Sequence, residues 1–250
     1  MKVRMYNVGF GDCFCLRDRK KSLLVDFGTN NSRIEGRPRR EIFDVIISDL
    51  STIKSKNLLL THFHMDHLSG LLYMMKKKDI SVDFGKIYLP DVFSKKEMSR
   101  TLVLLLLADL LKESGLPSRQ VSLFALVDAL LENKQNVELL SRGKLFENKY
   151  QALWPDTDVI RKETDEVYNR ICEDGKFKEV MDVLLEFAEK LRLIVWSMTA
   201  EGNKPAETVE KETDLTASEL TEQPEVRQKI IRAYVYAVSY THLRAHETRR

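Results

Sequence analysis

The run Asn57–Gly70, NLLLTHFHMDHLSG, constrains this chain more than any other stretch, because a short apolar segment delivers three histidines and one aspartate within six positions. A continuous apolar run of this length suits a strand covered on both faces, as in a parallel sheet. The ligand-type residues begin where that strand, expected over Asn57–Thr61, stops. His62 and His64, two apart in extended backbone, project to one side. The turn into a following helix, expected over Leu68–Lys78, brings Asp66 and His67 round to a neighbouring point. Neutral imidazole is the usual ligand for zinc and similar transition metals, while a carboxylate compensates the charge of a second cation. The four side chains therefore point to metal ligation at two adjacent positions.

The rest of the chain alternates between strand-like and helical patterns. Two strands, VRMYNV and DCFCLR, flank a turn at Gly9 and Gly11, and SLLVDFG follows a short basic turn. After the polar loop TNNSRIEGRPRR, the spacing of Ile42, Val45, Ile46 and Leu50 predicts a helix over Glu41–Thr52. Gly85–Pro90 reads as a strand. From about 95 to 142 the pattern becomes a helical insertion, with Leu102, Leu105, Leu106 and Leu110 in one segment and Phe124, Val127, Leu130 and Leu131 in the next. Strand-like pieces return over Lys144–Trp154, and Thr164–Ser197 is helical with a break at Gly175. Residues 1–198 thus read as one domain. The stretch 199–224, rich in Glu and Thr, reads as an acidic linker or loop, and 225–237 as a helix.

The ending, Val238–Arg250, is not protein-like. VSYTHLRAHET matches the in-frame translation of a transposase sequencing adapter, so 238–250 is expected to be a non-native tail. His242 and His246 then drop out as ligands, and basic and acidic residues come into balance. Before that correction the formal charge is +2, too small to announce nucleic acid by itself. The local groups Arg37, Arg39, Arg40 and Lys76, Lys77, Lys78 are either phosphate contacts or solvated surface.

With 250 residues and 43% hydrophobic content the chain is large enough for a buried core. No charged and apolar leader opens it, and its densest apolar run, Leu102–Leu107, is too short to span a bilayer. A soluble protein without membrane association is the expectation. Cys13, Cys15 and Cys172 make neither a disulfide framework nor a zinc knuckle, which suits a reducing cytoplasm, and Cys13 and Cys15 read as small core residues.

On the H-x-H-x-D-H motif the chain resembles the metallo-β-lactamase superfamily, over roughly residues 3 to 90 and more weakly near Leu153–Asp156. VGFGDCFCLR and LLVDFG are similar to the opening strands of the metallo-β-lactamase-like domain of the bacterial DNA-uptake channel. The resemblance implies an α+β fold, the αββα sandwich, incomplete here and carrying the helical insertion. It implies that His62 and His64 bind one metal and Asp66 and His67 the other, with two zinc ions in the complete fold and manganese or iron as alternatives. Asp66 would also orient the nucleophilic water. Asp26, and Asp12 beside it, would hold the ligand loop from behind rather than bind metal. The family's bridging aspartate and last histidine have no counterpart here: no histidine lies between His67 and His242, and Asp156 and Asp158 read as loop residues. Truncation accounts for that, and it makes the chain as given a weak or inactive hydrolase.

The function this implies is metal-dependent hydrolysis with a metal-activated water, on a phosphodiester or nucleic-acid substrate first and a small ester, thioester or lactone second. A non-catalytic metal-binding interaction module, docking through the helical insertion, is the alternative from another class.

Overall fold

The computed structural model describes residues 1–18, 21–77, 83–112, 122–173 and 175–200. Nearly all of the expected linker 199–224, and the whole of the helix 225–237 and of the tail 238–250, lie outside the described residues. The described residues fall into two compact units, one within 1–91, 126–155 and 197–200, the other within 92–125 and 156–196.

The first unit is built on a six-stranded mixed sheet. In chain order its elements are β1 (Lys2–Met5), β2 (Phe14–Asp18), β3 (Lys21–Val25), a small ribbon of β4 (Arg33–Ile34) and β5 (Arg37–Pro38), α1 (Arg39–Ser51), β6 (Ser55–Leu59), α2 (Met65–Lys76) and β7 (Ile87–Pro90). Beyond these, α3 (Ser99–Lys112) and α4 (Ser122–Glu132) precede β8 (Val137–Leu140), and a second ribbon pairs β9 (Leu145–Phe146) with β10 (Tyr150–Gln151). The sheet order is β1-β2-β3-β6-β7-β8. β1, β2 and β3 pair antiparallel, and β3, β6, β7 and β8 pair parallel. A parallel pair needs a crossover; α1 supplies it between β3 and β6, and α2 between β6 and β7.

Strand alternation divides the apolar residues between two layers. Leu23, Tyr88 and Leu140 lie on one face with Phe146 of the second ribbon and Ala152 just after it, and Leu16, Val25 and Leu59 pack against them. The second β-layer of the sandwich is present among the described residues only as that two-stranded ribbon. Asn57 and Tyr88 both donate to Glu147 in the ribbon's turn, which pins it to the sheet. Residues of the opposite parity, Leu24 and Leu58, are fully buried, as are Ile46, Ile47 and Leu50 of α1 and Leu68 and Leu71 of α2. Phe27 meets Phe43 of α1 edge-on with ring centroids 5.2 Å apart, and Phe43 lies 5.6 Å from Tyr73 of α2. The sheet and its helices are thus α+β in the manner of an incomplete αββα sandwich.

One detail departs from the sequence reading. Val137–Leu140, inside the stretch 95–142 expected as a helical insertion, is a strand that pairs with β7. Its four residues, Val-Glu-Leu-Leu, are too few for a helix and too apolar for a loop, and only the pairing with Ile87–Pro90 decides between them. The helical part ends at Glu132.

The second unit is helical. α3 joins α5 (Thr157–Cys172) and α6 (Gly175–Ser197). Arg100 forms an ion pair with Asp165 at 2.8 Å and lies 4.9 Å over the Tyr168 ring, tying α3 to α5. Along α6, Met181, Leu184, Ala188, Leu191 and Val195 are buried at helical spacing. Asp156 caps α5 by accepting from the Val159 backbone N–H at 3.3 Å. No described helix is long and apolar enough to cross a membrane.

At the outer end of the sheet Asp49, near the end of α1, accepts from Arg4 at 2.8 Å, from Arg17 at 3.0 Å and from the Tyr6 hydroxyl through a single carboxylate oxygen. Burial alone would raise the Asp49 pKa, but the Tyr6 hydrogen bond and the charges of Arg17 and Arg4 outweigh it and lower it. A depressed folded-state pKa contributes stability above the unfolded value, near 4, and loses it as pH falls through the lower folded value. Asp49→Asn is expected to cost about 1 kcal/mol at neutral pH. In urea unfolding across pH, the gap to wild type should be constant above about pH 5 and close below about pH 4; a gap that widens in acid would contradict this.

Candidate metal centre

The loop that follows β6 carries the ligand-type residues because β6, parallel between β3 and β7, delivers the chain to one end of the sheet. His64 stands at the N-cap position of α2 with extended backbone (φ −80°, ψ 150°), so Asp66 and His67 fall in the first helical turn. A carboxylate is favourable there, at the positive end of the helix dipole.

The imidazole rings gather as expected. The His62 and His67 ring centroids are 3.7 Å apart and those of His62 and His64 are 4.7 Å apart. Ligand atoms of His62, Asp66 and His67 lie within 4.8 Å of one another. His67 Nε2 is 3.7 Å from Asp66 Oδ2. His67 is buried, His62 and Asp66 are half-buried and His64 is exposed, so the cluster opens to solvent on the His64 side. Burial, then the neighbouring His67 and His64, push the His62 pKa down, against the opposing pull of Asp26 and Asp66. The neutral ring that a metal requires is thereby favoured.

Asp26 lies beneath this cluster, 3% exposed, at the residue after β3 where the backbone turns left-handed (φ 53°). Aspartate tolerates that conformation better than most residues. Its carboxylate accepts from the Thr61 backbone N–H at 2.8 Å, from the Thr61 hydroxyl at 2.7 Å and from His67 Nδ1 at 3.0 Å. Thr61 Oγ1 in turn lies 3.0 Å from His62 Nδ1. A threonine hydroxyl has one proton. With that proton given to Asp26, Thr61 can only accept from His62, so Nδ1 of both His62 and His67 carries the proton and each Nε2 presents a lone pair. One carboxylate thus sets the tautomer of two rings, directly for His67 and through Thr61 for His62.

Asp12 stands on the same side of His67, its Oδ2 3.6 Å from Nδ1. Asp12, Asp26 and His67 form a second close group of metal-type ligand atoms. Their contacts with Nδ1, on the side away from Asp66, fit support of the ring. Cys13 and Cys15 are buried in the core, and burial first, then Cys15 and the Asp26 and Asp12 carboxylates, raise the Cys13 thiol pKa. A raised thiol is a poor ligand and nucleophile. Asp156 caps α5, and Asp158 is exposed, 3.8 Å from Lys95.

Three backbone segments pack against each other to hold the loop. The Phe27 N–H donates to the His67 carbonyl at 2.7 Å, the Phe27 carbonyl accepts from the Gly70 N–H at 2.9 Å, and the Asp12 N–H donates to the Asp66 carbonyl at 3.3 Å. Sequence reasoning missed both Thr61 and this peptide of Phe27. Thr61 adjoins the motif, but its partner is 35 residues away, and a backbone contact leaves no side-chain signature.

Residues 6–91, the part of the chain that holds β2, β3, β6, α1, α2 and the His/Asp loop, match the model of the metallo-beta-lactamase superfamily. Among curated proteins, the chain is similar to an endoribonuclease, YSH1 of Mycosarcoma maydis, 32% identical over 77 residues. The similar stretch is 31% of this chain and 8% of that protein, so the chain matches a small part of the relative's length.

Proposed function

We propose that His62, His64, Asp66 and His67 bind divalent cations, zinc first with manganese or iron as alternatives, and that the protein is a metal-dependent hydrolase of phosphodiesters. The observation that carries this reading is the tautomer control exerted by Asp26: an ordinary polar turn has no need of two imidazoles whose Nδ1 protons are both committed to one network anchored on a buried carboxylate. His62 and His64 would hold one cation, Asp66 and His67 the other. Such cations, when bound, supply a water of lowered pKa and polarise a phosphoryl oxygen. Asp66, half-buried beside His67, would use its remaining carboxylate oxygen to accept a proton from that water and orient it. Asp26, Asp12 and Thr61 keep the imidazole rings fixed.

A phosphodiester or nucleic-acid substrate is favoured over a small ester, thioester or lactone by the similarity to an endoribonuclease, a reaction that belongs to that relative. The three cysteines, all free thiols, suit a reducing cytoplasm. Zinc retention after dialysis, measured by elemental analysis, should fall at least tenfold in affinity in His64→Ala. In this chain, where the family's bridging aspartate and last histidine have no counterpart, zinc-dependent turnover of bis(p-nitrophenyl) phosphate should be slow, should still exceed that of p-nitrophenyl acetate and should vanish in Asp66→Ala. Turnover of the acetate alone would favour the small-ester reading. Zinc retention without turnover of either would favour a metal-binding interaction module, and no zinc retention would end the metal reading.

A further inference from the structure

Phe10 is 80% exposed, the most exposed large apolar side chain among the described residues. Its backbone is held on both sides: the N–H donates to Asn31 Oδ1 at 2.7 Å, and the carbonyl accepts from the Asn30 N–H at 2.8 Å and from Thr29 Oγ1 at 3.2 Å. A turn fixed by its main chain does not need an aromatic side chain, and a ring left in water gains nothing from burial. Two residues further on, Asp12 contacts His67, and two residues of chain span at most about 7 Å. The ring therefore stands on a rigid mount beside the His/Asp loop.

The same mount carries positive charge. Asn31 leads into the β4–β5 ribbon, whose tip is tied back by Asn7 Nδ2 donating to Glu35 Oε1 at 2.8 Å. Arg33, Arg37, Arg39 and Arg40 are all exposed there, and none is in an ion pair among the described residues. Arg39 and Arg40 sit in the first turn of α1, where positive charge opposes the helix dipole, so they do not serve the helix. All four are arginine, whose planar guanidinium suits bidentate contact with phosphate. Lys77, at the end of α2, differs, since it is engaged with Asp44 at 2.5 Å.

We propose that Phe10 and the arginines of residues 33–40 form a binding surface for single-stranded nucleic acid beside the His/Asp loop, the ring stacking a base and the guanidinium groups contacting phosphates. This deepens the phosphodiesterase reading above and rests on it. An exposed ring with an arginine-lined strip is the combination that such strands require. Insertion into a lipid surface would need an apolar face, and the apolar residue of β4, Ile34, is buried.

The test is fluorescence anisotropy of a short fluorescein-labelled single-stranded DNA of mixed sequence, with the full chain in EDTA so that nothing is cleaved. Phe10→Ala should weaken binding about tenfold at unchanged salt dependence, and Phe10→Trp should retain it. Arg37→Gln with Arg39→Gln should weaken binding and reduce the slope of log Kd against log salt by roughly 1.4. Unchanged thermal unfolding of each variant excludes a folding effect. Absence of wild-type binding at low salt, equal binding by wild type and Phe10→Ala, or tighter binding to phosphatidylserine vesicles than to the DNA would each overturn the proposal. The zinc-dependent phosphodiester assay is separate: its failure with DNA binding intact removes the hydrolase reading and leaves the surface standing as a strand-binding site.

Discussion

Asp26→Ala is expected to lose about 4 kcal/mol of stability and roughly 10- to 100-fold in zinc affinity. Three donors converge on that carboxylate, and the most deeply buried of them, His67 Nδ1–H, is left facing only Asp12 Oδ2 at 3.6 Å. An orphaned buried donor costs about 1–3 kcal/mol and the two partly buried Thr61 donors less each. Alanine in the left-handed backbone region held by Asp26 (φ 53°) adds about 1–2 kcal/mol. The affinity loss is the usual consequence of removing the partner that orients a metal-binding imidazole. Asp26→Asn separates the two effects. Asparagine tolerates the backbone conformation and still offers an acceptor to Thr61, so most of the stability returns. Its amide turned towards His67 would reverse the tautomer and place the proton on Nε2, so zinc affinity should stay low. Calorimetric unfolding and zinc titration of both variants check this, and an Asp26→Asn protein with full zinc affinity would refute tautomer control.

The second large effect belongs to Gly11. A Cβ there would stand 2.2 Å from the Gly28 carbonyl oxygen and 2.7 Å from the Asp66 carbonyl oxygen, both backbone atoms that cannot swing aside. Gly11→Ala must therefore part the three packed segments, at an expected cost of about 3 kcal/mol. For a chain of this size the melting temperature falls by roughly 6–12 °C, and zinc binding weakens because Asp66 moves with its own carbonyl. Gly36→Ala is the control. Gly36 has a left-handed backbone (φ +79°) but nothing within 4 Å of its Cβ position, so only the backbone strain of about 1–2 kcal/mol applies and zinc binding is untouched. Equal effects of the two substitutions on zinc binding would show that the close approach at Gly11 does not hold the loop.

Both predictions turn on contacts between distant parts of the chain, and these mark the limit of sequence reading. The apolar strand before His62, the helix after it and the helix of Ile42, Ile46 and Leu50 were legible because each is a local periodicity confirmed by its own side chains. That His62, His64, Asp66 and His67 share one loop was legible for the same reason: four ligand-type residues within six positions do so whatever the fold around them. The part in Asp26 was legible only by resemblance, and nothing local marks Thr61 as the link between Asp26 and His62. The helical reading across 137–140 failed because Val-Glu-Leu-Leu has no period of its own, and pairing with Ile87–Pro90 decided its state. By itself the sequence determined which residues of metal-ligand type share one loop, since that depends on side-chain identity and short spacing. The tertiary structure decided which nitrogen of each ring faces outward, which glycine must stay bare and which aromatic ring stays in water, because each follows from atoms brought within about 3 Å across 30 residues or more of chain, or from their absence.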